Sequence, residues 1–195
     1  AFNPFYSETR QYDVEKRESI QTLILTLWKR EDETPKRSEE VALSGAVNAY
    51  IRRIAEDRTL KPDFNGFYEF VRDDYRRVVE EKKVREKDFD IDGFLNVLEP
   101  FYRGGDYDFL LNSEEELDLT EKRFIVFELD NISSHKVLLP VVTLIIMETF
   151  IAKMRRLKGI RKMILIEECW KALMSANMSG YIKYLFKTVR KYFGE

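Results

Sequence analysis

The chain has 195 residues, of which 44% are hydrophobic and 35% are charged. This composition excludes a disordered tail and a membrane protein, and the length allows one ordinary domain or a small domain with an appendage. The net charge of -2 conceals an asymmetry, because residues 1–122 carry 20 basic and 29 acidic side chains whereas residues 123–195 carry 13 and 6.

Helical periodicity dominates the first part of the sequence. Apolar residues spaced along one helix face predict a first helix that ends near Trp28: Ile20, Leu23, Ile24 and Leu27. Ser38 is the expected N-cap of a second helix that runs to about Asp57. A third amphipathic helix is predicted over residues 67–79 and a fourth over residues 90–98. Together these elements predict a helical subdomain.

The pattern changes after an acidic connector. The run RFIVFEL at 123–129 predicts a strand, and residues 136–157 predict a long helix that tolerates Pro140 only in its first turn. The run KMILIEE at 162–168 predicts a second strand. Strand, helix and strand in this order imply a right-handed βαβ unit with parallel, buried strands. A last helix is predicted over 177–193.

Two acids, Glu167 and Glu168, close the second predicted strand. In open α/β sheets ligands lie outside the carboxyl ends of parallel strands, so acids there face the site. In a nucleotide hydrolase the first acid holds magnesium, usually through a water, and the second orients or deprotonates the attacking water. By itself the pattern fits a strand that runs into an exposed polar turn better than it fits a catalytic site.

Other residues with chemical potential favour structural roles. His135 has no second ligand at metal-binding spacing, so we expect a surface or capping residue. The single cysteine, Cys169, excludes a disulfide within the chain and has no catalytic histidine partner. Gly104 and Gly105 lack the Lys and Ser/Thr of a phosphate-binding loop and predict a turn. Basic residues of the last predicted helix favour a solvated face: Lys187, Arg190 and Lys191.

Six segments spread over nearly the whole chain are characteristic: FNPF, YDFLLN, RFIVFELDNI, VVTLIIMETF, KGIRKMILIEECWKA and YIKYLFKTVRKYFGE. Together they resemble the TraG-type ATPases of conjugative transposons, relatives of the type IV secretion motor ATPases. It implies an α/β fold with a large all-α insertion, here a partial RecA-like P-loop NTPase core (βαβα) plus the helical subdomain. Residues 1–12 would follow an early core strand, 13–120 would be the insertion, and 121–195 would be a partial core with the Walker B strand.

The same resemblance places Glu167 at the magnesium side and Glu168 at the position of the catalytic base. The first acid is more usually aspartate, so Glu167 departs from the family pattern. ATP and Mg²⁺ are then the cofactors of the full-length protein. Because GxxxxGK[ST] occurs nowhere in the 195 residues, we expect this fragment to bind nucleotide poorly, to hydrolyse it negligibly and to hold no cofactor.

The resemblance also implies partners and a location. Other subunits of a conjugation or secretion channel would contact the protein, the intact protein would form a homo-hexamer, and its location would be cytoplasmic, associated with the inner membrane. The longest apolar run, residues 137–147, is too short to span a bilayer, so no transmembrane segment is expected. Two alternatives stay open: residues 13–120 as a helical protein–protein interaction module of a secretion complex, and a nucleic-acid-binding role, with DNA as a possible partner, for the basic residues 123–195.

Overall fold

The structure is a computed structural model that describes residues 2–7, 9–30, 32–113, 119, 121–157 and 159–167. The chain divides into two compact units. The first, here called the helical unit, comprises Ala1–Lys29 and Thr34–Leu117. The second, here called the C-terminal unit, comprises Arg30–Glu33 and Asp118–Glu195.

Helices account for the regular structure of the described residues in both units. The helical unit contains α1 (Val14–Trp28), α2 (Arg37–Glu56), α3 (Phe64–Phe70), α4 (Arg76–Glu81), α5 (Ile91–Leu98) and α6 (Asp108–Leu111). A π-helical turn, Val71–Tyr75, joins α3 to α4, and a 3₁₀ turn, Glu99–Phe101, follows α5. The described part of the C-terminal unit contains a 3₁₀ turn, Asp130–Ile132, and α7 (Leu138–Arg156).

The first predicted helix is confirmed. Helix α1 ends at Trp28, and the four apolar residues that predicted it are all buried: Ile20, Leu23, Ile24 and Leu27. The Asp13 carboxylate accepts the backbone N–H of Lys16 at 2.7 Å, which satisfies one of the free donors at the start of the helix. Local periodicity therefore sets both the element and its buried face.

The extent of α2 agrees with the sequence, but its predicted N-cap, Ser38, is wrong. The helix begins at Arg37, and Lys36 holds the cap position. The Glu39 carboxylate reaches back to the N–H of Lys36 at 2.8 Å, and the same side chain pairs with Lys29 at 2.9 Å. Since Glu39 supplies the acceptor for this helix start, the hydroxyl of Ser38 is not needed there.

The third helix, predicted over residues 67–79, extends over residues 64–81, and its hydrogen-bond pattern changes from α to π and back within that range. It begins at Phe64, where the Asp63 carboxylate caps the N–H of Gly66 at 2.8 Å. The π turn then shifts the face that the chain presents, and Tyr75 at its end donates its hydroxyl to the carbonyl of Ala42 at 3.1 Å. That contact joins α2 to the π turn across 33 positions.

The residues FNPF are part of the core of the helical unit. Phe5 is fully buried, and its ring lies 5.4 Å from that of Phe67 and 5.0 Å from that of Tyr50. The Asn3 side chain donates to the carbonyl of Pro62 at 2.8 Å and accepts the N–H of Phe5 at 2.9 Å. These contacts hold the start of the chain against α2 and α3.

Arg10 caps the carboxyl end of α2. Its guanidinium donates to the carbonyls of Ile54 at 2.9 Å, of Leu60 at 3.1 Å and of Arg58 at 3.2 Å. The last carbonyls of a helix have no partner within the helix, and a cation there is favourable for the helix dipole. One side chain therefore joins the start of the chain to the end of α2.

Alkaline pH is expected to weaken the helical unit through Tyr12. Its hydroxyl donates to the carbonyl of Phe5 at 2.6 Å, and burial raises the pKa of Tyr12 to about 12. Because the folded pKa exceeds the unfolded value of about 10, this contribution to stability is complete below pH ~10 and is lost as the pH rises toward ~12. In Tyr12→Phe, the free energy of unfolding from urea titrations should fall less steeply over this range. Parallel curves for the two proteins would contradict the prediction.

The predicted α/β fold is wrong for the part of the chain that the structure describes. The described residues of the two predicted strands, 123–129 and 162–167, form no strand apart from an isolated bridge at Lys162, and no strand occurs among the described residues. A strand exists only through hydrogen bonds to a neighbouring strand, and no backbone hydrogen bond joins the described residues of these two runs to each other. In the described residues of this region, helices and irregular chain therefore stand where the RecA-like βαβα core was predicted.

The burial of these two runs also contradicts parallel strands covered on both faces. Phe124 is 86% exposed, Met163 is 71% exposed and Leu165 is 80% exposed. In a parallel sheet both faces are covered, so such residues would be buried. An apolar run alone cannot distinguish a buried strand from irregular chain, and here that ambiguity led to the wrong prediction.

The long helix of the C-terminal unit is confirmed as α7. Pro140 lies in its first turn, where its missing N–H costs no helical hydrogen bond. His135 has the capping role that the sequence suggested, since its Nδ1 accepts the backbone N–H of Leu138 at 3.2 Å. None of the helices in the described ranges combines the length and apolar character that a bilayer crossing requires.

Candidate functional site

Glu167 lies directly after α7 and the irregular run 163–166. Helix α7 ends at Arg156, and Gly159 follows with a φ of +77°, a conformation that favours glycine. The Lys162 ammonium donates to the carbonyls of Met154 and Leu157 at the end of the helix. Gly159 and Lys162 thus define where the chain leaves α7, five residues before Glu167 in the case of Lys162.

The side chain of Glu167 is exposed in a turn. The described structure therefore does not place Glu167 at the carboxyl end of a sheet strand. The other predicted site residue, Glu168, lies outside the described residues, as do Cys169 and the basic residues of the last predicted helix. The roles assigned to Glu167 and Glu168 stay predictions.

A single exposed carboxylate fits only part of a magnesium site. In the described ranges, three or more His, Cys, Asp or Glu side chains nowhere come together to hold a metal ion. Magnesium is commonly held by one or two carboxylates, waters and the phosphates of a nucleotide. Glu167 could supply one such contact to a magnesium–nucleotide complex, but it could not hold the ion alone.

Gly104 and Gly105 form the turn that the sequence predicted. The N–H of Gly105 donates to the carbonyl of Tyr102 at 2.8 Å, and Gly104 has a φ of +82°. A Cβ atom at Gly105 would collide with the Pro100 carbonyl. Both glycines are thus explained by backbone geometry, and a role in phosphate binding is not needed to account for them.

Sequence reasoning missed a second candidate site, an open cleft of about 450 Å³ in the helical unit. Its lining combines half-buried apolar residues with charges of both signs, among them Arg53 on α2 and Asp74 on the π turn. Tyr50 and Phe70, which precede these charges by three and four positions, are in ring contact at 5.6 Å. The i, i+3 and i, i+4 spacing was visible in the sequence, but the contact between the two helices was not.

Comparison with known proteins yields one family. No curated protein and no solved structure gave a significant match to the chain. Residues 1–195 match the TraG P-loop domain, so the match covers both units. This chain belongs to the TraG P-loop domain family, a family of conjugation-related P-loop ATPases.

Proposed function

We propose that this chain is a fragment of a motor ATPase that couples ATP hydrolysis to DNA or protein transfer, or to assembly of a conjugation channel. The family match over residues 1–195 carries the proposal. The acidic ending of MILIEE supports it, because that ending is the kind of sequence that supplies a metal contact and a base in nucleotide hydrolases. Because GxxxxGK[ST] is absent from these 195 residues, the proposal assigns phosphate binding to residues outside them.

In this proposal, different parts of the chain have different roles. Residues 121–195 contribute the acidic pair, with Glu167 on the magnesium side through a water and Glu168 as the base for the attacking water. Residues 13–120 form the helical insertion, and residues 1–12 lead into it. In the intact protein ATP and Mg²⁺ are the cofactors, the assembly is a homo-hexamer in contact with other channel subunits, and its place is the cytoplasmic side of the inner membrane.

ATP binding tests where the phosphate site lies. We expect the 195-residue chain to bind a fluorescent ATP analogue with Mg²⁺ on the order of 100-fold more weakly than the intact protein. Losing even two hydrogen bonds to a charged group, each worth about 1.5–3 kcal/mol, predicts a loss of this size. Equal affinities would show that the phosphate site lies within these residues, and an intact protein without ATPase activity would end the proposal.

A further inference from the structure

The cleft in the helical unit lies between α2, the loop that follows it, α3 with the π turn, and two later turns at Arg103 and Asn112. Leu60 and Phe70 are half-buried in its lining, and the buried ring of Tyr50 lies 5.6 Å from the ring of Phe70. The Tyr50 hydroxyl proton is not available to a ligand, because it already faces the backbone carbonyls of Lys61 and Asp63, each at 3.2 Å, just before α3. The cleft therefore offers a small apolar floor.

Most charged side chains around this floor already have partners. Lys61 lies 3.8 Å from Asp63, and Arg103 lies 3.6 Å from Glu69. Asp73 accepts two hydrogen bonds from the guanidinium of Arg72, each 2.8 Å long. These groups stabilise the walls of the cleft and are not free to bind a ligand without losing an existing contact.

Arg53 and Asp74 differ from these residues. Both are exposed, both line the cleft, and neither forms an ion pair with another residue in the described part of the chain. Arg53 follows Tyr50 by one turn of α2, whereas Asp74 follows Phe70 within the π turn. An exposed cation and an exposed anion thus border one apolar floor, and each comes from a different helical segment.

We propose that this cleft binds a segment of a partner protein that carries both charges. The segment places an apolar side chain on Leu60 and Phe70, a carboxylate at Arg53 and an ammonium or guanidinium group at Asp74. The lining carries four carboxylates, Asp63 among them, against three cationic side chains, so it offers no net positive charge to a polyanion such as DNA or an acidic lipid headgroup. An open, mostly polar cleft also suits a polypeptide better than a small molecule, which usually binds in an enclosed apolar pocket.

Nuclear magnetic resonance with defined peptides tests the proposal on the whole chain. Three capped dodecapeptides share a central leucine flanked by Glu and Lys, by Glu alone or by Lys alone. We expect the mixed peptide to shift the amide signals of Arg53, Phe70 and Asp74 saturably. It should bind about fivefold more tightly than the other two, as one additional charge contact of about 1 kcal/mol requires.

Charge reversal supplies the matched control. Arg53→Glu and Asp74→Lys should each weaken binding of the mixed peptide about fivefold. Arg52→Glu, the same change at an exposed neighbour that does not line the cleft, should leave it unchanged. The amide spectrum of each variant also reports whether it is folded.

Several results would overturn the proposal. These are equal binding of the three peptides, an equal loss in Arg52→Glu, and saturable shifts of the same signals by a single-stranded oligonucleotide. Concentration-dependent shifts without peptide would assign the cleft to a second copy of this chain and would likewise overturn a partner protein. All of these measurements are made without nucleotide, so their outcome is independent of the proposed ATPase function.

Discussion

Replacing Glu168 with Gln in the intact protein is expected to reduce ATP turnover by about 10²–10⁴-fold and to leave ATP binding unchanged. Glutamine keeps the size of the side chain but cannot accept a proton from the attacking water. The phosphates, which dominate nucleotide affinity, are not contacted by the base, so affinity should persist. Steady-state phosphate release and equilibrium binding of a labelled nucleotide measure the two quantities separately.

The same Glu→Gln change at Glu167 and at Glu128 shows whether the loss of turnover is specific to Glu168. Glu167→Gln should raise the magnesium concentration needed for half-maximal turnover, because a carboxylate near the ion would be lost. Glu128 is an exposed carboxylate near the end of the other apolar run, so Glu128→Gln should change neither quantity. Normal turnover in Glu168→Gln would remove Glu168 from the role of base, and an equal loss in Glu128→Gln would point to a general effect of charge.

The helices could be predicted because their signal is local. The buried face of α1 follows from four apolar residues within eight positions, and Pro140 and His135 mark the start of α7 from nearby sequence. The N-cap of α2 was predicted two residues too late, because its cap comes from Glu39, whose carboxylate also pairs with Lys29, the residue that follows α1. The π turn was missed for the same kind of reason, since Tyr75 is fixed by a contact with Ala42.

The sheet and the cleft depend on information that a local pattern does not contain. A strand requires a partner, and an apolar run such as 124–129 does not say whether one is present. The cleft joins Arg53 and Asp74, which are 21 positions apart and become neighbours only when α2 packs against the π turn. The candidate acids could be found from sequence, but the position of Glu167 relative to a binding site could not.

The fully buried ring of Phe5 should make a large contribution to the stability of the helical unit. Phe5→Ala removes a side chain that contacts Tyr50 and Phe67, and it leaves a cavity between the start of the chain and two helices. Such a change costs about 3–5 kcal/mol. Amide hydrogen exchange in α2 and α3 measures this loss within the helical unit itself.

The control for this prediction is Phe109→Ala, which removes the same side chain from a position that is 60% exposed. We expect it to change the free energy of opening of α2 by less than about 0.5 kcal/mol, as surface substitutions usually do. A loss below about 1 kcal/mol in Phe5→Ala would mean that residues 2–5 are not part of the core that stabilises α2 and α3. A large loss of stability would show that FNPF, one of the segments that suggested the family, contributes to the packing of the helical unit. This contribution would come from the burial and ring contacts of Phe5 and from the hydrogen bonds of Asn3.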